Sequence, residues 1–384
     1  MNKTTLKNIY SLETLIFLIV FFGLFGSLAY VMGLPNMMNT LMNTAYALLM
    51  DTVFYIMAIS VIAGAIGAIF IEFGVIAILN KILSPLMKPI FGLPGAAAMG
   101  IMSTFLSDNP AILALADDVS FRRYFKKFQL PALTNLGTGF GMGLITVTFM
   151  MGLIPTDGTS FLPAALIGLL GAAIGSAVSV RIMLMFTKKM YGKETEAYVG
   201  TDSSEMIDDM RVVHEGSVAS RAMNALLDGG KQGVTLGLEI IPGVLIICTL
   251  VMMLTNSATN GVYTGAAYEG IGLLPYFGTK IDFILQPLFG FTSAECIAVP
   301  ITALGSAGAA IGLIPGMVST GMATGNDIAV FTAMCMCYSG YLSTHVAMMS
   351  VLKFPELTGK SILAHTIGGL CAGISAHWIY LLLL

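Results

Sequence analysis

Charged side chains are scarce in this sequence of 384 residues, where Asp, Glu, Lys and Arg together make up only 10%. Soluble domains carry about 25%, so the shortage excludes an ordinary soluble protein. Apolar residues take their place at 56%, and the mean hydropathy is +0.87. The composition therefore predicts a polytopic membrane protein.

Motifs for metal-dependent or nucleophilic catalysis are also missing. No His-Glu-x-x-His pattern and no Gly-x-Ser-x-Gly pattern occurs in the chain. Only five cysteines are present, and the Cys335-x-Cys337 pair lacks the spacing of a zinc site. We therefore expect buried thiols and a protein that is not an enzyme and has no cofactor or metal centre.

What the sequence does contain is an internal repeat. The phrase Lys-Pro-Ile-Phe-Gly-Leu at 88–93 returns as Gln-Pro-Leu-Phe-Gly-Phe at 286–291. Each copy precedes an apolar stretch with a small polar tip, which is Ser107-Asp108-Asn109 in the first copy and Gly305-Ser306-Ala307-Gly308 in the second. Repeats of this kind predict a duplicated membrane unit.

The apolar stretches predict an all-α fold with seven transmembrane helices and two re-entrant hairpins. The hairpins are 93–116 and 292–315, because both carry polar, Gly or Pro residues in the middle of an apolar segment. The remaining stretches are long enough to cross a hydrocarbon core of about 30 Å, and they are 12–33, 44–79, 128–154, 161–187, 226–255, 326–352 and 361–384.

The distribution of basic residues supports this layout. Lys and Arg accumulate on the cytoplasmic side of membrane proteins. If the N-terminus is cytoplasmic and each hairpin leaves the membrane on the side that it entered, all of the 18 basic residues except Arg181 and Lys280 fall on the cytoplasmic side. We predict a multi-pass protein of the cell (inner) membrane with an extracytoplasmic C-terminus.

The predicted domains are a peripheral helical segment at 1–43, a first repeat at 44–187, a cytoplasmic linker at 188–225 and a second repeat at 226–384. Each repeat has three crossings and one hairpin, and an odd number of crossings gives the two repeats opposite orientations. The hairpin tips should then meet near the bilayer midplane, as in secondary transporters with inverted repeats.

The tips supply the first candidate binding residues. Asp108 is a carboxylate at the predicted midplane, where burial is costly without a cation, a proton or hydrogen bonds. It could bind a coupling ion or a substrate amine, or it could simply cap the half-helix, and these roles are compatible. Ser107 and Asn109 flank it, and Ser306 can cap the half-helix of the second tip.

The crossing after the first hairpin offers a second group of candidates. Glycines at 137, 139 and 141 favour local unwinding, and the freed carbonyls with the side chains of Asn135 and Thr138 would suit Na⁺. The alternative is close helix packing through small residues.

The second repeat adds weaker candidates. Ser339, Ser343 and His345 lie in its corresponding crossing, where His345 could shuttle protons or be a satisfied core histidine. Glu295 lies on the first arm of hairpin 2. Glu239, three residues before Pro242, could be a structural hydrogen-bonding group or could lie beside a kink that exposes carbonyls.

Two segments, 287–295 (PLFGFTSAE) and 304–309 (LGSAGA), resemble the gate-domain family, also called the nucleoside-recognition domain, which includes spore maturation proteins A and B. The whole chain looks like two gate domains joined head to tail. The hairpin followed by a broken helix is also similar to the core of concentrative nucleoside transporters.

In the nucleoside transporter family, the first tip contacts the base, the broken helix helps to hold Na⁺, and an acid and an amide of the second repeat hold the ribose. The resemblance thus implies roles for Ser107-Asp108-Asn109 at the tip and for Asn135 and Thr138 on the broken helix. The second repeat departs from the pattern, because neither its tip nor the segment 338–345 contains a carboxylate.

Together these features predict a secondary active transporter of a small polar solute, nucleoside-like or amino-acid-like. We expect symport with Na⁺ or H⁺, alternating access with the hairpins as gates, a homo-oligomer in the lipid bilayer and no nucleic-acid partner. The alternatives are a non-transporting scaffold or signalling protein of the spore-maturation type and a metal permease.

Overall fold

The computed structural model describes residues 9–107, 111–112, 115, 119–122, 124–155, 158–192, 215–258 and 261–384. The regular structure of this part of the chain is helical. Its main helices are α1 (Leu12–Met32), α2 (Leu34–Glu72), α3 (Val75–Leu86), α4 (Ala97–Leu106), α5 (Ala132–Thr138), α6 (Gly143–Gly152), α7 (Leu162–Tyr191), α8 (Val218–Thr255), α9 (Leu273–Lys280), α10 (Asp282–Phe289), α11 (Ala298–Gly305), α12 (Ala307–Ser319), α13 (Gly325–Cys337), α14 (Tyr341–Val351) and α15 (Thr358–Leu383).

Six helical segments of the described chain are long and apolar enough to cross a membrane, and a seventh is obtained if one bent pair counts as a span. The six are α1, α2, α7, α8, the α5–α6 pair and the segment that ends in α15. The bent pair joins α10 to Ala294–Gly305 at an angle of 79°. A multi-pass membrane fold is therefore confirmed.

Two predicted crossings differ from the observed helices. The stretch 44–79 is not one helix, because α2 begins at Leu34 and ends at Glu72. Gly74, two residues later, has a left-handed φ of 80° and separates α2 from α3. The stretch 326–352 is divided into α13 and α14, because Gly340 has a φ of 58°. Glycine adopts this conformation without a steric penalty. The left-handed residue interrupts the helical hydrogen bonds, although the hydrophobicity of each stretch predicts a continuous helix.

The two repeated phrases end in the same local structure. Gly92 follows the first phrase with a φ of 74°, and Gly290 follows the second with a φ of 59°. The backbone breaks resemble each other too: Met142 immediately precedes α6 with a φ of 52°, and Gly340 immediately precedes α14 with a φ of 58°. These two residues are separated along the chain by as much as Pro89 and Pro287 are, so the duplication extends to backbone geometry.

Long helices of one predicted repeat pack against their counterparts in the other. Helix α2 contacts α8, where a Cβ atom on Gly64 would lie 2.5 Å from the carbonyl oxygen of Gly229. Helix α7 contacts α15, where a Cβ atom on Gly171 would lie 2.7 Å from the carbonyl oxygen of Ala372. Small residues allow such close approach between membrane helices, and the two pairs hold the repeats together.

The five cysteines are free thiols, and all except the half-buried Cys371 are buried. Their burial agrees with the interpretation of Cys335 and Cys337 as buried thiols.

Candidate functional site

A polar cavity of about 210 Å³ lies where elements from both predicted repeats meet. Met142 reaches it from the break between α5 and α6, and Ser339 and Gly340 reach it from the break between α13 and α14. The turn between α11 and α12 forms another wall, with Gly305 to Gly308. The fourth wall is α8, through Glu239, Ile240 and Gly243.

Ser306 shapes the turn between α11 and α12. It has an extended backbone and joins the two helices alone, and its hydroxyl oxygen accepts a hydrogen bond of 3.2 Å from the Ala309 N–H. It is therefore the N-cap of α12, as predicted. The first turn of α12, including Ala307 and Gly308, faces the cavity with the positive end of the helix dipole.

Two glycines let this turn approach α8. A Cβ atom on Gly243 would lie 2.8 Å from the Ser306 hydroxyl oxygen, and a Cβ atom on Gly308 would lie 2.8 Å from Cγ2 of Ile240. Contacts this short require something to move, so larger residues at either position would push the turn away from α8.

Glu239 is the only ionisable side chain among the described residues that line the cavity. Its side chain is exposed, so the carboxylate is available to a solute. From the sequence alone Glu239 is a weaker candidate than Asp108, because nothing local shows that α8 runs beside the second tip. A carboxylate close to Pro242 in an apolar helix is the available signal.

Asn135 is buried and bonded within the protein. Its Nδ2 donates to the Ser179 hydroxyl oxygen and to the Ser361 carbonyl oxygen, each at 2.9 Å, and its Oδ1 accepts from the Ser361 hydroxyl at 2.7 Å. These bonds tie α5 to α7 and α15. In this structure the Asn135 side chain serves helix packing and does not line the cavity.

The side chain of Thr138 is also hydrogen-bonded within the protein. Its hydroxyl donates to the Thr134 carbonyl oxygen at 2.6 Å, which is the usual bond of a threonine to its own helix. The unwinding that the glycines predict does occur, because α5 ends at Thr138 and α6 begins at Gly143.

Two histidines lie behind the second break. His365 bonds through Nδ1 to the Ser179 hydroxyl at 3.0 Å and through Nε2 to the Cys337 carbonyl. Because that carbonyl can only accept, Nε2 carries the proton and Nδ1 accepts from Ser179. His365 thus satisfies the last carbonyl of α13.

His345 is completely buried and does not line the cavity. Its Nδ1 bonds to the Tyr341 carbonyl oxygen, its Nε2 has no hydrogen-bond partner, and its ring centroid lies 4.8 Å from that of His365.

The remaining candidates are scattered. Ser339 is buried at the cavity, whereas Glu295 is half-buried in a short 3₁₀ turn, Ala294–Ile297, away from it. Ser107 ends α4 and is exposed. Asp108, Asn109 and the side chain of Ser343 lie outside the described residues. No group of three or more His, Cys, Asp or Glu side chains that could hold a metal ion occurs in the described chain.

No protein-family model matches this sequence, and no curated protein matches it. The resemblance to the gate-domain family therefore remains an expectation. Solved structures do match, and several are of CNTnw, a concentrative nucleoside transporter.

A double variant of CNTnw in an outward-facing state has a TM-score of 0.52 and 13% identity, over 96% of this chain and 85% of that one. CNTnw in an inward-facing, substrate-bound state has a TM-score of 0.51 and 12% identity, over 95% and 84%. This chain thus has a fold like that of a nucleoside transporter, which is a membrane protein and not an enzyme.

Proposed function

We propose that this chain is a secondary active transporter of a small, polar, nucleoside-like solute and that the cavity beside Glu239 is its binding site. The observation that carries the proposal is the meeting of two backbone breaks, one from each predicted repeat, with the Ser306 turn and Glu239. Transporters with inverted repeats bind solutes at interrupted helices of this kind, and the fold is similar to that of CNTnw.

The chemistry of the cavity favours a solute rich in hydrogen-bond donors. Glu239 supplies a carboxylate, and Ser306 and Ser339 supply hydroxyl groups. No Lys or Arg is among the described lining residues, so only the partial positive charge at the start of α12 opposes the repulsion between Glu239 and an anionic solute such as a nucleotide or an organic acid. Neutral sugar hydroxyls or an ammonium group fit best, which keeps the amino-acid-like alternative open.

In this proposal α11 and α12 form a re-entrant hairpin and act as one gate, and the first hairpin acts as the other. Asp108 remains the first candidate for the coupling ion, Na⁺ or H⁺, and the buried Nε2 of His345 is a candidate for H⁺. The nucleoside transporter family has an acid in its second repeat, whereas the second tip of this chain has none. In this proposal Glu239 of α8 takes the place of that acid, because its side chain reaches the same cavity.

Ligand-induced thermal stabilisation tests the substrate class. We expect one or more nucleosides to raise the melting temperature of the purified protein, with and without Na⁺, and amino acids to have less effect. Organic acids and nucleotides should have no effect. A chain that no nucleoside or amino acid stabilises, and that shows no saturable flux in proteoliposomes, would contradict the proposal.

The variant Glu239→Gln tests the site. We expect it to weaken solute binding by about tenfold or more, because a hydrogen bond to a charged group contributes more than one to a neutral group. Glu295→Gln is the matched control, since Glu295 is half-buried and does not line the cavity. Equal loss of binding in both variants, or no loss in Glu239→Gln, would remove Glu239 from the site.

A further inference from the structure

A second and larger recess of about 850 Å³ lies between α3, α4 and α7, away from the polar cavity. We call it the α7 groove. Its described lining consists of apolar side chains such as Leu83, Phe105, Leu170 and Ile174, and Arg181 is the only ionisable residue among these described lining residues. Leu170 is 54% exposed and Ile174 is 42% exposed, so the groove is open along the surface of α7.

The location of the groove restricts what can fill it. Helix α7 is long and apolar enough to span the membrane, so its exposed apolar face lies against lipid. Water is excluded from the hydrocarbon core of the bilayer. An open apolar recess at this depth is therefore filled by the flexible acyl chains of the surrounding lipids. The lining runs along α7 from Leu169 to Ile182, about 20 Å at 1.5 Å per residue. One leaflet of hydrocarbon is about 15 Å thick, so the groove is long enough for an acyl chain.

One end of the groove carries a positive charge. Arg181 lies near the C-terminal end of the lined part of α7, beside Ile90. Its Nε–H donates to the Ile90 carbonyl oxygen at 2.9 Å, and a terminal N–H donates to the carbonyl oxygen of Pro89. A guanidinium group has five N–H donors, so donors remain, and among the described residues no carboxylate forms an ion pair with Arg181.

This combination defines the ligand. A single apolar groove with a guanidinium group at one end matches an anionic lipid, because Arg binds phosphate through paired hydrogen bonds. Lys88 precedes Pro89 in the chain, and Lys188 and Lys189 follow Arg181 on α7 by about two turns. Anionic lipids are enriched in the leaflet that basic segments face.

We infer that the α7 groove binds one anionic phospholipid, with an acyl chain along α7 and the phosphate on Arg181. Helix α4, the arm of the first predicted hairpin, forms one wall through Ile101, Met102 and Phe105. The lipid therefore contacts an element that the proposed function assigns to gating, although the lipid site itself depends only on the membrane fold.

Native mass spectrometry of the full chain, with phosphatidylglycerol and phosphatidylcholine of the same acyl chains, tests the inference. We expect the wild type to retain phosphatidylglycerol about tenfold more strongly, and Arg181→Gln to lose this preference. Lys231→Gln is the control, because Lys231 is an exposed basic residue on α8 and does not line the groove. Equal binding of the two lipids by the wild type, or an unchanged preference in Arg181→Gln, would overturn it.

A second variant keeps the test decisive if Arg181→Gln folds poorly. Ala177→Trp fills the middle of the groove, and we expect it to remove the bound lipid. Leu166→Trp is its control, since Leu166 is exposed on α7 outside the groove. Full retention of lipid by Ala177→Trp would overturn the inference. Separation of a wild-type oligomer by Ala177→Trp without a change in bound lipid would overturn it too, because the groove would then be an interface between copies of this chain.

Discussion

At the scale of single residues, Asn135 shows how a side chain suited to an ion site can be fully used elsewhere. Its amide bridges α7 and α15 through Ser179 and Ser361, and it also fixes the Ser179 hydroxyl that bonds to His365. The network joins the two predicted repeats behind the broken helices, so it stabilises the frame around the cavity.

Asn135→Ala should therefore reduce stability and leave ion dependence intact. Its removal leaves the Ser361 hydroxyl and the Ser361 carbonyl without their partner, at a cost of about 1–3 kcal/mol. Thermal melting in detergent, with and without Na⁺, measures both effects. Thr148→Val is the control, because the Thr148 hydroxyl only bonds to carbonyls of its own helix. An unchanged melting temperature with a lost Na⁺ response would instead assign Asn135 to the ion site.

Residue roles that depend on local chemistry could be predicted from the sequence. The cap at Ser306 depends only on neighbouring residues in the chain, so the sequence predicts it. The partners of Asn135 lie in distant helices, as does the cavity that Glu239 lines, and no periodicity or spacing reveals them without the fold.

At the scale of elements, the connection between α8 and α9 is held by a buried carboxylate. Glu269 is 4% exposed, and its oxygens accept from the Thr264 N–H and hydroxyl and from the Gly265 N–H, at 2.7 to 3.1 Å. Thr40 of α2 donates to it at 3.4 Å. The connection is thus fastened to the start of α2. Burial alone would raise the pKa of Glu269, but these hydrogen bonds outweigh burial and lower the pKa.

The lowered pKa predicts acid-sensitive packing of this connection. A carboxyl whose pKa is lower in the folded protein adds stability above its unfolded pKa, about 4.3, and that stability is lost as the pH falls through the folded value. Glu269→Gln should melt at a lower temperature than the wild type at pH 7, and the difference should shrink on acidification. The control Glu295→Gln should follow the wild type. Parallel melting curves for Glu269→Gln and wild type at every pH would contradict this role.

Elements also show where hydropathy fails as a guide. The stretch 326–352 is apolar throughout, but Gly340 turns the backbone and divides it into α13 and α14. The corresponding break at Met142 occurs at a residue that rarely adopts a positive φ. The glycines at 137, 139 and 141 therefore predict the first break to within a few residues, but they do not predict the positive φ at Met142.

At the scale of the whole molecule, the chain is organised as two packed pairs of long helices around the broken ones. The pairs α2 with α8 and α7 with α15 each join equivalent helices of the two predicted repeats through small residues. The polar cavity lies between elements attached to different pairs: α8 carries Glu239, whereas α13 and its break lie against α7 and α15. In the proposed function, relative movement of the pairs opens and closes the cavity.

A cross-link across the cavity should stop such movement. A Cβ atom on Gly308 would lie 3.1 Å from Cβ of Ile240, which is shorter than the range of about 3.5–4.5 Å in disulfides, so a small outward shift of the turn would bring the pair into that range. We expect the double variant Gly308→Cys, Ile240→Cys to form a disulfide on oxidation and to lose solute flux in proteoliposomes, with recovery on reduction. Each single variant, oxidised in the same way, controls for the native cysteines and for the substitution. If the cross-linked protein transported solute at the rate of the reduced protein, the turn between α11 and α12 could not be a gate, because α8 would then hold that turn fixed throughout the cycle.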